Sequence, residues 1–138
     1  TGLGTRNRHD LTVTVGGDAS YNPNYVFSMI ADNNDAIWAG TWGAGVSRLA
    51  NGDWTSFTTK DGLAGNVVYS IAQGADGAYW FGTNNGLSRY DGSTWTNYGV
   101  PDGLLGTDVY AIAVTSDNQI WVGTRSGVAR LTAPAPEA

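Results

Sequence analysis

One short unit is written three times in this chain. Val26-Phe27-Ser28-Met29-Ile30 returns as Val68-Tyr69-Ser70-Ile71-Ala72 and as Val109-Tyr110-Ala111-Ile112-Ala113, at spacings of 42 and then 41 residues. The register holds downstream through Ile37-Trp38-Ala39-Gly40-Thr41, Tyr79-Trp80-Phe81-Gly82-Thr83 and Ile120-Trp121-Val122-Gly123-Thr124. It holds again through Gly45-Val46-Ser47-Arg48, Gly86-Leu87-Ser88-Arg89 and Gly127-Val128-Ala129-Arg130. A repeat of this length is one supersecondary unit, and packing between neighbouring units is what buries its apolar side chains.

The shared segments read as three short strands, A, B and C, and Trp54-Thr55-Ser56-Phe57 and Trp95-Thr96-Asn97-Tyr98 add a strand D to the first two units. Asp32-Asn33-Asn34-Asp35, Ala75-Asp76-Gly77 and Ser116-Asp117-Asn118 separate A from B, while Asn51-Gly52-Asp53 and Asp91-Gly92-Ser93 separate C from D. Gly, Asn and Asp supply the positive φ that tight antiparallel hairpins need. Composition agrees: 20 Gly, 6 Trp and 7 Tyr against 14% charged residues favour turns joining aromatic strands. Four strands at a period in the low forties, with no helical stripe, predict an all-β chain of about three four-stranded β-propeller blades.

Asp76-Gly77, Trp80-Phe81-Gly82-Thr83 and Gly86-Leu87-Ser88-Arg89-Tyr90-Asp91 together resemble the two-component regulator propeller repeat. The resemblance covers about residues 24–131, is closest in the middle unit and is interrupted in the first by one extra residue in Thr41-Trp42-Gly43-Ala44-Gly45. It implies an extracytoplasmic sensor module, in the periplasm or at the bacterial cell surface, often for glycans and upstream of kinase domains.

The repeats are placed at residues 21–60, 61–101 and 102–131. The third lacks a strand D, because Leu131 runs into the Ala/Pro segment 132–138, whose prolines argue against a paired central strand. Leu11-Thr12-Val13-Thr14-Val15, in the N-terminal segment 1–20, alternates like a strand and is expected to supply a missing strand D. Propellers typically close with about four to eight blades, so three leave exposed edges and faces. The ring is therefore completed by a second copy or by missing chain, giving a homo-oligomer (a dimer is favoured) or one piece of a longer propeller. A chain that starts at Thr1 is expected to be a processed or excised one, from which a leader or anchor could have been removed.

In this strand order the D–A and B–C loops share one rim, which by analogy of fold is the ligand side. The B–C loops place Trp42, Asn84 with Asn85, and Arg125 there, and the D–A loops add Asn22 with Asn24, Asn66, and Asp108. An indole among amides suits a glycan or peptide, although Trp42 also has a plain reading as a packing residue. Trp38, Trp80, Trp121, Trp54 and Trp95 recur at fixed positions and read as packing between blades. Arg48, Arg89 and Arg130 read as blade-to-blade hydrogen bonds or ion pairs. Asp32 to Asp35 lacks the spacing and distal Glu of a calcium loop and reads as a turn.

A net charge of −5, with seven Lys and Arg in no basic run, argues against nucleic acid. The chain has no Cys and one histidine, His9, so neither a zinc site nor a thiol dyad is expected, and no cofactor. No apolar run reaches the roughly 18 residues of a membrane helix. The sequence reads as a non-catalytic binding or sensor module for a glycan or other extracytoplasmic ligand. The alternative is a structural protein that builds a ring or surface assembly by strand exchange. An enzyme would need a His, Asp or Glu cluster on the rim, and the sequence supplies almost none.

Overall fold

The computed structural model describes residues 25–131, and within them the strands lie where the repeat places them. β1 (Val26–Ala31), β2 (Ile37–Thr41), β3 (Val46–Ala50) and β4 (Asp53–Phe57) form one antiparallel sheet. β5 (Val68–Gln73), β6 (Tyr79–Thr83), β7 (Gly86–Tyr90) and β8 (Trp95–Tyr98) form the second, and β9 (Val109–Val114), β10 (Ile120–Thr124) and β11 (Gly127–Leu131) the third. Spatial order follows chain order in every sheet, so each is a meander. Among the described residues the third sheet has three strands. The strand expected at 11–15, the residues Asn22 and Asn24, and the Ala/Pro tail lie outside the described residues.

The three A–B turns reverse the chain by one device. The N–H groups of Asp35, Gly77 and Asn118 each donate over 2.9 Å to the carbonyls of Asp32, Gly74 and Thr115. The donors take φ of 66°, 89° and 66°, the left-handed conformation that Asp, Asn and Gly tolerate best.

The sheets stack as blades, with β5 between β1 and β9 on the inner side. Between the first two blades, Trp38 and Val46 meet Val68, Ile71 and Phe81, with Leu63 inserted from the connecting loop. Between the second and third, Trp80 and Leu87 meet Val109 and Val122, with Leu104 inserted in the same way. Strand alternation thus sends each blade's Trp and strand-C aliphatic forward and its strand-A aliphatics backward. Burial follows from this. Trp38 and Trp80 are 0% and 2% exposed, whereas Trp121 is 38% exposed and Val128, the counterpart of Val46 and Leu87, is 68% exposed. At the other end Val26 and Met29 are exposed, although their counterparts Val68 and Ile71 are buried. The expectation that all three strand-B tryptophans are core therefore fails for Trp121, because among the described residues no blade follows it and no strand D supplies the aromatic ring that Phe57 and Tyr98 lay on Trp38 and Trp80.

The arginines also differ from expectation. Strand register places Arg48 opposite Trp38, Arg89 opposite Trp80 and Arg130 opposite Trp121. Each guanidinium lies over the indole of its own blade, at 5.7, 5.9 and 5.8 Å from the ring centroid, a cation–π contact. Arg89 adds a 3.1 Å salt bridge to Asp76 in its own A–B turn. These contacts tie strand to strand inside a blade, and among the described residues no hydrogen bond or salt bridge from the three arginines joins one blade to the next.

The Gly of each Trp-x-Gly-Thr segment marks how closely blades approach. A Cβ at Gly40 would lie 2.8 Å from Val68 Cγ1, and one at Gly82 would lie 2.4 Å from the carbonyl oxygen of Val109, while at Gly123 the nearest atom is Ala111 Cβ at 3.7 Å. Gly82→Ala is therefore expected to lose about 1–3 kcal/mol of unfolding free energy, and Gly123→Ala less than about 0.5 kcal/mol. Urea titration of both variants checks this; equal losses would contradict the stacking described.

Candidate functional site

The rim is built from the threonine that ends each strand B. The hydroxyls of Thr41, Thr83 and Thr124 donate to the carbonyls of Gly45, Gly86 and Gly127 at 2.8, 2.8 and 3.3 Å. The same oxygens accept the N–H groups of Ala44, Asn85 and Ser126 at 2.9, 3.0 and 3.1 Å. Gly45 and Gly86 in turn donate their N–H groups to the carbonyls of Asn66 and Thr107, at 2.9 and 2.7 Å. The first two B–C loops are thereby joined to the D–A loops leading into the next blades, and the two loop sets share one rim as the strand order requires.

The D–A loops carry a motif that the sequence reading passed over, Asp-Gly-Leu at 61–63 and again at 102–104. Asp61 accepts the N–H of Thr58 at 2.9 Å and Asp102 that of Gly99 at 2.8 Å, while Leu63 and Leu104 plug the gaps between blades. Its recurrence at a 41-residue spacing was the available signal.

A second feature is invisible to strand alternation. Val26 pairs with Thr41 and Ser28 with Gly40, so Phe27 is an extra residue, a β-bulge. Tyr69 and Tyr110 are the extra residues at the same step of β5 and β9. Bulges re-aim side chains, and here the effect is a continuous aromatic strip. The ring of Trp42 meets Phe27 edge-on at 5.0 Å, Phe27 lies 5.9 Å from Tyr69, and Tyr69 lies 4.8 Å from Tyr110. Phe27 and Tyr110 are exposed, and Trp42 and Tyr69 half-buried.

Of the residues expected on the rim, Trp42 and Asp108 join this strip. The backbone of Trp42 donates to the carbonyl of Tyr25 at 2.9 Å and bridges to Val67, which fixes where its indole stands. Asp108 accepts from the Tyr69 hydroxyl at 3.4 Å. Burial first, then Asp108 and Tyr110, push the Tyr69 phenol above its ordinary pKa, so it remains a neutral donor. Three of the expected amides have backbone duties: Asn66 Oδ1 accepts from Thr59, Asn84 Oδ1 from Val67, and Asn85 Nδ2 donates to Ala64. Arg125 is exposed on the third B–C loop, and Asn24 lies outside the described residues.

The opposite rim carries a buried carboxylate that the sequence reading treated as a simple turn residue. Asp32 accepts from the N–H groups of Asn34 and Ala36, from Trp38 Nε1 and, across the blade boundary, from the Tyr79 hydroxyl, at 2.8, 3.0, 2.9 and 2.6 Å. Burial, the largest influence, raises its pKa, but the hydrogen bonds from Tyr79, Trp38, Asn34 and Ala36 together outweigh it and hold the carboxyl below its ordinary value. Burial and the bond to Asp32 push Tyr79 up to about 12. In blade two Gly74 stands where Asp32 does, and the buried Trp80 Nε1 has no hydrogen-bond partner. Among the described residues no group of three or more His, Cys, Asp or Glu is placed to hold a metal ion.

Antiparallel meanders stacked with their first strands innermost, and with B–C and D–A loops gathered on one rim, define a β-propeller segment. The chain belongs to the Two component regulator propeller family, whose sequence profile matches residues 20–43, 62–85 and 103–126, just over half of the chain. No curated protein matches it. Among solved structures it is similar to the extracellular domain assigned to a hybrid two component system of B. thetaiotaomicron. The identity is 24% over 77% of this chain and 15% of that one, with a TM-score of 0.68. It is also similar to virginiamycin B lyase from Staphylococcus aureus, at 18% identity over 81% of this chain and 42% of that one, TM-score 0.61. PorZ, a surface component of the type-IX secretion system of Porphyromonas gingivalis, matches at 17% identity over 75% of this chain and 17% of its own, TM-score 0.58. The chain thus spans less than half the length of each, and these likenesses establish the fold.

Proposed function

We propose that this chain is a non-catalytic binding segment of an extracytoplasmic sensor propeller, and that its ligand is a glycan laid along the aromatic strip. The observation that carries the reading is the threefold bulge, which turns Phe27, Tyr69 and Tyr110 into one line and ends it on the indole of Trp42. Phe27 and Tyr110 present their rings to solvent along this line. Ring faces offer the apolar side of a sugar a flat partner, while the Tyr69 and Tyr110 hydroxyls, Asp108 and Arg125 offer polar contacts around it. The amides of Asn66, Asn84 and Asn85 hold the loops and lend their remaining donors. The Tyr69 phenol, held neutral, and the ring faces hold a ligand without moving protons at neutral pH, which supports binding over the lyase chemistry of one structural neighbour. An extracytoplasmic location has its support in the extracellular neighbour and in the family.

Screening the chain against an array of neutral oligosaccharides, followed by calorimetry on a hit, tests this. Trp42→Ala and Tyr110→Ala are each expected to weaken binding about tenfold, equivalent to about 1.4 kcal/mol, while Thr96→Ala on the exposed outer strand leaves it unchanged. An array on which nothing binds, or variants that bind as well as the parent, would overturn the reading.

A second reading concerns partners and rests on the two open faces. Trp121 and Val128 present forward what Trp38 and Val46 present, and Val26 and Met29 present backward what Val68 and Ile71 present. We propose that a second copy covers them, each chain's third blade receiving the other's first, in a closed ring. Light scattering is expected to give a dimer that Val128→Asp converts to monomer. A parent chain that is monomeric at every concentration would contradict this.

A further inference from the structure

On the rim opposite the aromatic strip, beside the first blade, is an open cleft of about 630 Å³ lined by Asn34, Asp35, Arg48, Asn51 and Tyr79 among others. The molecule contains its own control for this cleft. In blade two, Arg89 lies 5.9 Å from the centre of the Trp80 ring and donates through Nη2 to Asp76 Oδ2 at 3.1 Å. In blade one, Arg48 lies over Trp38 in the same way, at 5.7 Å. The two A–B turns have the same length and the same closing hydrogen bond, which puts Asn34 at the position of Asp76. Blade one therefore keeps the cation and its indole but lacks the carboxylate. Arg48 forms no salt bridge among the described residues, and its buried Nε has no hydrogen-bond partner.

A guanidinium fixed on an indole and denied its acid is a fork waiting for planar, bidentate pairing, the geometry in which Arg binds carboxylate best. The neighbouring charges limit what fits. Asp32 is occupied by four donors, but the exposed Asp35 also lines the cleft and repels a second negative charge. From this geometry we propose that the cleft is a binding site for a small hydroxycarboxylate, its carboxylate on Arg48 where Asp76 sits on Arg89, and its hydroxyl toward Asp35. This site is separate from the aromatic strip and stands or falls independently of the glycan reading.

The test is an NMR titration of the full 138-residue chain with glycolate, following the Arg48 Nε–H and Trp38 indole N–H, with glycolamide as the neutral control of equal size. Glycolate is expected to give a saturable shift at Arg48 and Trp38 and none at Arg89 and Trp80, and glycolamide none at either pair. Asn34→Asp, which leaves the turn backbone intact and supplies the missing carboxylate, is expected to weaken glycolate binding at least tenfold while keeping the folded spectrum. Arg48→Gln is expected to abolish it. Equal shifts at both arginines, binding of glycolamide as strong as that of glycolate, or an Asn34→Asp variant that binds as well as the parent would each overturn the proposal.

Discussion

Each blade of this chain is finished by the blade after it. An indole on strand B and an aliphatic residue on strand C point forward from every sheet, and residues of strands A and B of the next sheet, with a leucine from the connecting loop, remove them from water in the first two. Burial of a Trp is worth several kcal/mol, about 3–5 when it is truncated to Ala, so the stack gains most of its stability at the boundaries between blades. The exposures of Trp38, Trp80 and Trp121 follow this, since they hold equivalent positions and the exposed one has, among the described residues, neither a following blade nor the strand-D aromatic that stacks on the other two. The cation–π pairs inside each blade are present in all three, including the uncovered one. They tie strands together and leave the order of the stack to packing.

The close approach at Gly40 and Gly82 is what places the loops. Because the following strand A lies against those glycines, its first residues reach the B–C turn of the preceding blade, and Asn66 and Thr107 close on Gly45 and Gly86. A rim built this way is framework on its backbone side and open to variation on its side-chain side. The bulge at the start of each strand A uses that freedom, since it costs one ladder position and turns an aromatic residue outward. Asp32 does the corresponding work on the far rim of blade one, where a single carboxylate joins turn, indole and neighbouring blade.

The strands and their order were legible because a repeat fixes registers that no single segment could. Trp38 and Trp80 as core were legible for the same reason. What the repeat could not convey is position within the stack, so Trp121 read as core like its equivalents. Pairing across strands was also hidden: Arg48, Arg89 and Arg130 read as links between blades, yet register sets each opposite its own tryptophan. Of the rim residues, Trp42 stood out through the insertion around it and Asp108 through its loop. Phe27, Tyr69 and Tyr110 did not stand out, because alternation counts residues and cannot see a bulge. Asn66, Asn84 and Asn85 were legible as rim residues, but their hydrogen bonds to the backbone follow from the fold of the loops alone.

Native-state hydrogen exchange on the monomer at low concentration tests most directly whether stability resides between blades. The account predicts the slowest exchange in β6 and β7, whose sheet is covered on both faces, and markedly faster exchange in β1 and in β10 and β11. Protection in β10 and β11 equal to that in β6 and β7 would mean that a blade is stable without its successor, and would contradict the account.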